Sequence, residues 1–282
     1  MKINNLQNEN RKFSAQKGSF YVLEHMTDRS VNGYTAQTEW FMSQMNVHKR
    51  QVMAQIKPDL PICIQKGAMQ WFGGQLEAAT DVKGAGDLLG KLVKGKVTGE
   101  SAIKPVYKGS GILMLEPTYK HIILIDVAEW GSGITIEDGM FLACETTVEQ
   151  KVVPRSNLSS AVLGNEGLFN LSLQGSGIAA LESFVPESEL IEVELKGDEI
   201  KIDGNMAVCW SSSLQFTVER TTKTFVGSAA SGEGLVNVYR GTGKILMSPV
   251  SWTTASSTHT VEASQPKLGG FAGAVFNAAL SS

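Results

Sequence analysis

The stretch Lys108-Gly-Ser-Gly-Ile-Leu-Met-Leu-Glu116 occurs three times in related form along this chain. Its second copy is Gln174-Gly-Ser-Gly-Ile-Ala-Ala-Leu-Glu182, and its third is Arg240-Gly-Thr-Gly-Lys-Ile-Leu-Met-Ser248. The first glycines of consecutive copies are 66 residues apart. A constant period of this length is typical of a duplicated supersecondary unit, so the repeat decides the fold prediction.

Six glycines belong to these Gly-x-Gly motifs. Glycine at such positions is typical of hairpin turns, where the backbone needs a positive φ or a close approach. We therefore expect structural turns at Gly109, Gly111, Gly175, Gly177, Gly241 and Gly243. A degenerate earlier copy, Lys17-Gly-Ser-Phe-Tyr-Val-Leu-Glu24, lacks the second glycine.

Alternating apolar and polar residues lie upstream of each motif. In residues 191–196, Ile191, Val193 and Leu195 alternate with charged residues, which is the period-2 pattern of a half-buried strand. Residues 51–69 and 123–140 follow a similar pattern and also end in a Gly and a Met. The chain therefore reads as a series of β-hairpins.

These patterns predict an all-β, mainly antiparallel protein with a few short helices. We expect three repeated β-sandwich-like units, at about residues 12–105, 106–170 and 171–250, in a pseudo-threefold arrangement within one body of residues 1–250. Residues 251–282 are expected to form a C-terminal tail with a short helix. A further amphipathic helix is expected at residues 84–96, where leucines recur at helical spacing.

Residues 25–50 fit the repeat poorly and look like an insertion. Their apolar side chains lie close together in sequence: Trp40, Phe41, Met42 and Met45. Such a Met/aromatic cluster favours a small core of its own, with a binding surface as the alternative.

Composition argues against several classes of function. The net charge of −3 and the absence of a basic cluster make nucleic-acid binding unexpected. The longest apolar stretches, near 122–127 and 271–280, are far shorter than the roughly 20 residues that span a bilayer. Cys63, Cys144 and Cys209 lack metal-site or paired spacing, so buried reduced thiols are expected. We therefore expect a cytoplasmic protein with no membrane span.

No catalytic constellation is visible in the sequence. A phosphate-binding loop, a Gly-x-Ser-x-Gly nucleophile elbow and histidines at metal-ligand spacing are all missing. We therefore predict that the protein is not an enzyme and that it needs no cofactor.

One metal site follows from the repeat as a hypothesis. Glu100, Glu166 and Glu233 recur in the Gly/Glu turns that precede the three Gly-x-Gly motifs. Around a pseudo-threefold axis these carboxylates could converge on calcium or magnesium, which prefer oxygen ligands. The alternative is that each carboxylate faces water or accepts hydrogen bonds from its own turn.

The combined pattern resembles the altered-inheritance-of-mitochondria family, which is associated with mitochondrial biogenesis. The residues that resemble the family are Gly67-Ala-Met69, the Gly-Glu-Gly-Leu turn at 232–235 and the Gly-[Ser/Thr]-Gly strands. The resemblance covers about residues 50–250. It implies the superfamily of the trp RNA-binding attenuation protein, antiparallel modules and ring-like or trimeric self-assembly. It implies no catalytic residues, and the start of this chain favours the bacterial branch of unknown function.

Two functions remain open from the sequence. The first is a non-enzymatic scaffold or interaction protein that forms a homo-oligomer, with a trimer favoured, through β surfaces. The second is a ligand- or RNA-binding module with its groove between repeats. For RNA, the candidate platforms are Tyr107-Lys108 and Tyr239-Arg240, which occupy equivalent repeat positions.

Overall fold

The structure is a computed structural model, and it describes residues 1–79, 104–154, 169–220 and 235–251. The first described strands are β1 (Arg11–Lys17), β2 (Phe20–His25), β3 (Lys49–Ile56), β4 (Ile62–Ile64), β5 (Met69–Ala79) and β6 (Val106–Leu115). The next are β7 (His121–Asp126), β8 (Ile134–Ile136), β9 (Phe141–Glu145), β10 (Val148–Pro154), β11 (Phe169–Gly175) and β12 (Ile178–Ser183). The last are β13 (Ile191–Asp203), β14 (Ala207–Ser211), β15 (Gln215–Arg220) and β16 (Leu235–Met247).

Helical structure is sparse in this part of the chain. It consists of the α-helix α1 (Ala36–Gln44) and two 3-10 helices, Val127–Trp130 and Glu187–Glu189. The prediction of a mostly antiparallel β protein with few helices is therefore confirmed.

The described strands form two antiparallel sheets. The first has the order β1-β2-β3-β6-β4-β9-β12-β7, with β5 also paired to β6. The second has the order β10-β11-β8-β14-β16-β13, with β15 also paired to β16. In the first sheet, the end strand β7 contacts β3 and β1 near the opposite end, so this sheet is curled.

The three Gly-x-Gly motifs lie where an extended segment changes its neighbours. The middle motif, Gly175–Gly177, carries the chain from β11 in the second sheet to β12 in the first. In β6, residues before the motif pair with β4 and residues after it pair with β3. In β16, β13 pairs along one edge, while on the other edge β15 pairs with residues before the motif and β14 with residues after it.

Four glycines that were expected at hairpin turns lie inside strands instead. They are Gly109 and Gly111 in β6, and Gly241 and Gly243 in β16. For the two glycines of β6 the physical need is close packing of two backbones rather than chain reversal. A Cβ on Gly109 would lie 2.0 Å from the carbonyl oxygen of Gln75, and the φ of Gly109 is +116°.

The apolar interior is built from inward-facing residues of these strands. One cluster joins Phe20, Ile62, Leu113 and Ala143 with their neighbours in the first sheet. Another surrounds Trp210 in the second sheet, where Phe216 and Tyr239 pack against its indole ring.

The apolar cluster at residues 25–50 is not a core, which corrects the sequence interpretation. Helix α1 has no buried residue; Trp40 is 61 % exposed and Met45 is 76 % exposed. Its main side-chain attachment is polar, because the hydroxyl of Tyr119 donates to the carboxylate of Glu39 at 2.5 Å. The spacing and composition of the residues could not predict this exposure, since an exposed apolar helix can have the same residue types as a buried one.

Several predictions lie outside the described residues. These are the helix at 84–96 and the tail at 251–282, apart from Ser251. The division of the chain at residue 250 therefore stays a prediction.

Candidate functional site

Two strand pairs connect segments that are distant in sequence, and we call them the first and second junctions. The first junction pairs β4 with β9, with Ile62 opposite Glu145, Cys63 opposite Cys144 and Ile64 opposite Ala143. The second junction pairs β8 with β14. Both junctions use a short strand with the sequence Ile-x-Ile, which alternates two large apolar side chains with one variable position.

The variable position of the first junction holds two thiols. Cys63 and Cys144 are buried reduced thiols, as the sequence analysis predicted. The side-chain amide of Gln150 donates to both sulfur atoms, at 3.2 Å to Cys63 Sγ and 3.4 Å to Cys144 Sγ. The neighbouring Cys63 thiol and burial raise the pKa of Cys144 well above its ordinary value. Because the thiolate is the reactive form, this arrangement is structural rather than nucleophilic.

The residues of the second junction are also buried. It places Ile134 opposite Ser211, Thr135 opposite Trp210 and Ile136 opposite Cys209. Complete burial raises the pKa of Cys209 to about 12, so its thiol also stays protonated.

A pocket of about 200 Å³ lies beside the second junction. Its walls come from β8, β10, β11, β14, β15 and the β14–β15 turn. They are formed by Thr135, Val153, Asn170, Ser172, Gln174, Trp210, Ser212, Leu214 and Phe216. This is the feature of the described chain that best fits the predicted groove between repeats.

Hydroxyl groups line the polar side of this pocket. The Oγ of Ser212 lies 3.2 Å from Thr135 Oγ1 and 3.0 Å from Ser172 Oγ. The opposite side is aromatic, with the rings of Trp210 and Phe216 stacked at 5.5 Å. The pocket can therefore hold a small neutral polar molecule by hydrogen bonds and ring contact. None of its lining residues titrates, so they supply no general acid or base.

Glu145 is a buried carboxylate that the sequence analysis did not identify. Its Oε1 accepts from the backbone N–H of Ser19 at 2.9 Å, and its Oε2 accepts from that of Ile178 at 2.8 Å. It thereby ties the β1–β2 turn to the start of β12. The missed signal was the pair of glycines that flank it, Gly18 and Gly177, whose absent side chains leave room for the carboxylate.

The predicted metal ligands cannot be placed. Glu100, Glu166 and Glu233 all lie outside the described residues. Among the residues that the structure does describe, no group of three His, Cys, Asp or Glu side chains is arranged to hold a metal ion.

The predicted base-stacking platforms are buried. Tyr107 is 3 % exposed and Tyr239 is fully covered, so neither ring can stack on a nucleotide. Arg240 is held by acidic side chains, with Nη1 and Nη2 at 2.6 and 3.0 Å from the Glu219 carboxylate. The Arg240 hydrogen bonds lower the pKa of Glu219 to about 2, which keeps this pair ionised. The structure therefore removes the specific basis for the RNA alternative.

Within the described ranges, no helix combines the length and the apolar character needed to cross a membrane.

Comparison with known proteins gives consistent results. An uncharacterized protein of Streptococcus pyogenes serotype M6 is 30 % identical over 192 residues, covering 65 % of this chain and 75 % of the relative. A crystal structure of a Streptococcus pyogenes protein matches with a TM-score of 0.54 and 25 % identity, covering 73 % of this chain and 89 % of the other. The model of the mitochondrial biogenesis AIM24 family matches residues 41–250. The sequence resemblance is thus confirmed: this chain belongs to the mitochondrial biogenesis AIM24 family, with uncharacterized bacterial proteins among its relatives.

Proposed function

We propose that this protein is a non-enzymatic scaffold that assembles with copies of itself through β-sheet edges. The single observation that carries this proposal is that one kind of junction is used twice. An Ile-x-Ile strand of one segment pairs with a strand of the next segment in both the first and the second junction. When segments are joined head to tail in this way, the first and the last segment each keep one strand edge that no other segment covers.

The finer architecture we infer is three repeated units, at about 49–115, 121–183 and 191–247. These bounds revise the ones expected from sequence, because each Gly-x-Gly segment pairs with strands that precede it. In the three copies, the residues after the motif pair with β3, with β7 and with the first part of β13, respectively. The residues before the motif pair with β4, with β8 and with the second part of β13.

A closed pseudo-threefold arrangement would need a third junction, between the third unit and the first. Within the described ranges, β13 pairs with β16 and β5 pairs with β6, and these two strands do not pair with each other. The edges that would form this junction are therefore available to other copies. This availability favours a homo-oligomer, and the trimer and the cytoplasmic location remain our predictions.

Sedimentation velocity across a dilution series tests the scaffold function. We expect one discrete oligomer that dissociates on dilution. A monomer at every concentration would contradict self-assembly.

The second candidate function is the binding of a small polar ligand, and the specific observation that favours it is that same pocket. Its hydroxyls and aromatic wall suit a neutral polar molecule better than nucleic acid. A reproducible added mass on the natively purified protein, lost in the variant Ser212→Val, would support this function. An unchanged added mass in that variant would place the ligand elsewhere.

A further inference from the structure

We propose that the free edge of β13 pairs with the free edge of β5 of a second copy of this chain, in a defined register. The pairs are Ile200 with Gly73, Lys201 with Phe72, and Ile202 with Trp71. This inference rests on the proposed self-assembly and specifies its contact: the third junction forms between copies and repeats the geometry of the other two.

The Ile-x-Ile side of the register is fixed by the Gly-x-Gly motifs. The first isoleucine of each Ile-x-Ile strand pairs with the residue two positions before the first motif glycine. Ile62 pairs with Tyr107, Ile134 with Leu173, and Ile200 with Tyr239. Residues 200–202 are therefore the third Ile-x-Ile strand, in the same position as the two that already form junctions.

The partner side is fixed by a repeated irregularity. Strands β5, β9 and β14 each show one register shift against the Gly-x-Gly segment, at the same distance from the motif. The residues directly after the shift are Trp71, Ala143 and Cys209, and they pair with Met114, Ala180 and Leu246. Each paired residue lies five positions after the first motif glycine. Trp71 to Gly73 therefore correspond to the partner strands of the existing junctions.

Both edges are open to a partner within the described residues. β5 pairs with β6 on one side, and β13 pairs with β16 on one side. Phe72 is 42 % exposed, and Lys201 is exposed as well. A long strand with an unpaired edge is a template for another strand, and it is normally covered in a stable protein.

The facing side chains suit each other in character. Ile200 corresponds to Ile62 and Ile134, which face Glu145 and Ser211, and it would meet Gly73, which has no side chain. Ile202 would meet Trp71 in an apolar pair, at the place where Ile64 faces Ala143 and Ile136 faces Cys209. The aliphatic part of Lys201 would lie along the Phe72 ring, with the ammonium group at its edge or face. The side chain of Met1 now lies against Gly73; it is flexible and 78 % exposed, so it can move aside.

The contact is heterologous, since β13 and β5 are different surfaces. Each added copy keeps one open edge until a ring closes. A closed ring would cover every β5 and β13 edge and give a single stoichiometry.

Cysteine cross-linking between two single variants tests this register. Lys201 and Phe72 correspond to Cys63 and Cys144 of the first junction, so cysteines at these positions should face each other. Phe72→Cys and Lys201→Cys are prepared separately, mixed and treated with oxidised glutathione. We expect the mixture to form several-fold more disulfide-linked pairs than either variant alone. A mixture of Phe72→Cys with Glu199→Cys, two positions out of register, is the matched control and should cross-link much less. The unmodified chain controls for its three buried cysteines.

The outcomes separate this inference from the proposed function. A double variant carries both Phe72→Cys and Lys201→Cys in one chain. A cross-link within single chains of this double variant, with none between the mixed single variants, would show that the third junction closes inside one chain. That result would overturn the second-copy proposal. A discrete oligomer in sedimentation velocity without any cross-link would overturn the register and leave self-assembly standing. A monomer without cross-links would overturn both. If a variant fails to fold, hydrogen exchange of the unmodified chain tests the contact instead. The backbone amides of residues 71–73 and 200–202 should exchange faster when the protein is diluted. Exchange that does not change on dilution would contradict the contact.

Discussion

Cys63 on β4 and Cys144 on β9 are direct neighbours across the first junction, with the Gln150 amide donating to both sulfur atoms. The junction is therefore part of the protein interior rather than a loose contact between segments. Both thiols are buried, and they contribute packing and weak hydrogen bonds.

Removing an isoleucine from either junction should be costly. Ile64→Ala and Ile136→Ala each create a cavity at a fully buried site, and we expect a loss of about 2–5 kcal/mol in the free energy of unfolding. Urea denaturation measures this loss. Val152→Ala, at an exposed position of β10, is the control and should change stability by less than about 0.5 kcal/mol. An equal loss of unfolding free energy in all three variants would contradict the assignment of the junctions to the protein core.

Glu145 should be more important than an ordinary glutamate. Glu145→Gln removes the charge and turns an acceptor into a donor that faces a backbone N–H, so we expect a loss of about 1–3 kcal/mol. The neighbouring Glu149→Gln is the matched control, since the Glu149 side chain is exposed and pairs with Lys151 at the surface. Thermal melts of the two variants compare them directly. Identical melting temperatures would contradict the role of Glu145 as an anchor between the β1–β2 turn and β12.

His121 should make stability dependent on pH. Burial, reinforced by the nearby Arg50, lowers the pKa of His121 to about 4, while Glu24 partly opposes this effect. The unfolded chain binds a proton on this imidazole below pH about 6.5, whereas the folded chain does not until about 4. Stability is therefore lost as pH falls through this window, by at most about 1.4 kcal/mol per pH unit from this group.

Thermal melts between these pH values test the His121 prediction. His121→Gln should flatten the dependence, and the remaining slope reports groups such as His25, whose pKa burial also lowers. A slope that is unchanged in His121→Gln would show that this imidazole does not titrate differently in the folded state.

A glycine-to-alanine series separates packing from backbone freedom in the repeat motif. Gly109→Ala brings a Cβ into the carbonyl of Gln75, at a positive φ, and should destabilise by roughly 2–4 kcal/mol. Gly139→Ala also has a positive φ but nothing nearby, so a loss of about 1 kcal/mol is expected. Gly33→Ala has neither constraint and should be close to neutral. A neutral Gly109→Ala would contradict the close approach of β5 and β6.

The fold class could be predicted from sequence because its signals are local. Alternation in residues 191–196 predicts a strand, and the structure has β13 there. The junctions could not be predicted, since which strand pairs with β4 or β8 depends on contacts between distant segments. The exposure of the apolar cluster around Trp40 could not be predicted for a similar reason, because it is set by what surrounds the helix. The burial of Glu145 could not be predicted either, because its residue type is usually exposed. It is the space beside Gly18 and Gly177 that accommodates its carboxylate.

Native mass spectrometry of the unmodified protein, purified without denaturant, tests self-assembly most directly. We predict a single closed oligomer, with a trimer favoured, whose mass is a whole multiple of the chain mass. A monomer at micromolar concentration would contradict the scaffold function, and a monomer with a reproducible added mass would favour the ligand-binding function of the pocket beside the second junction.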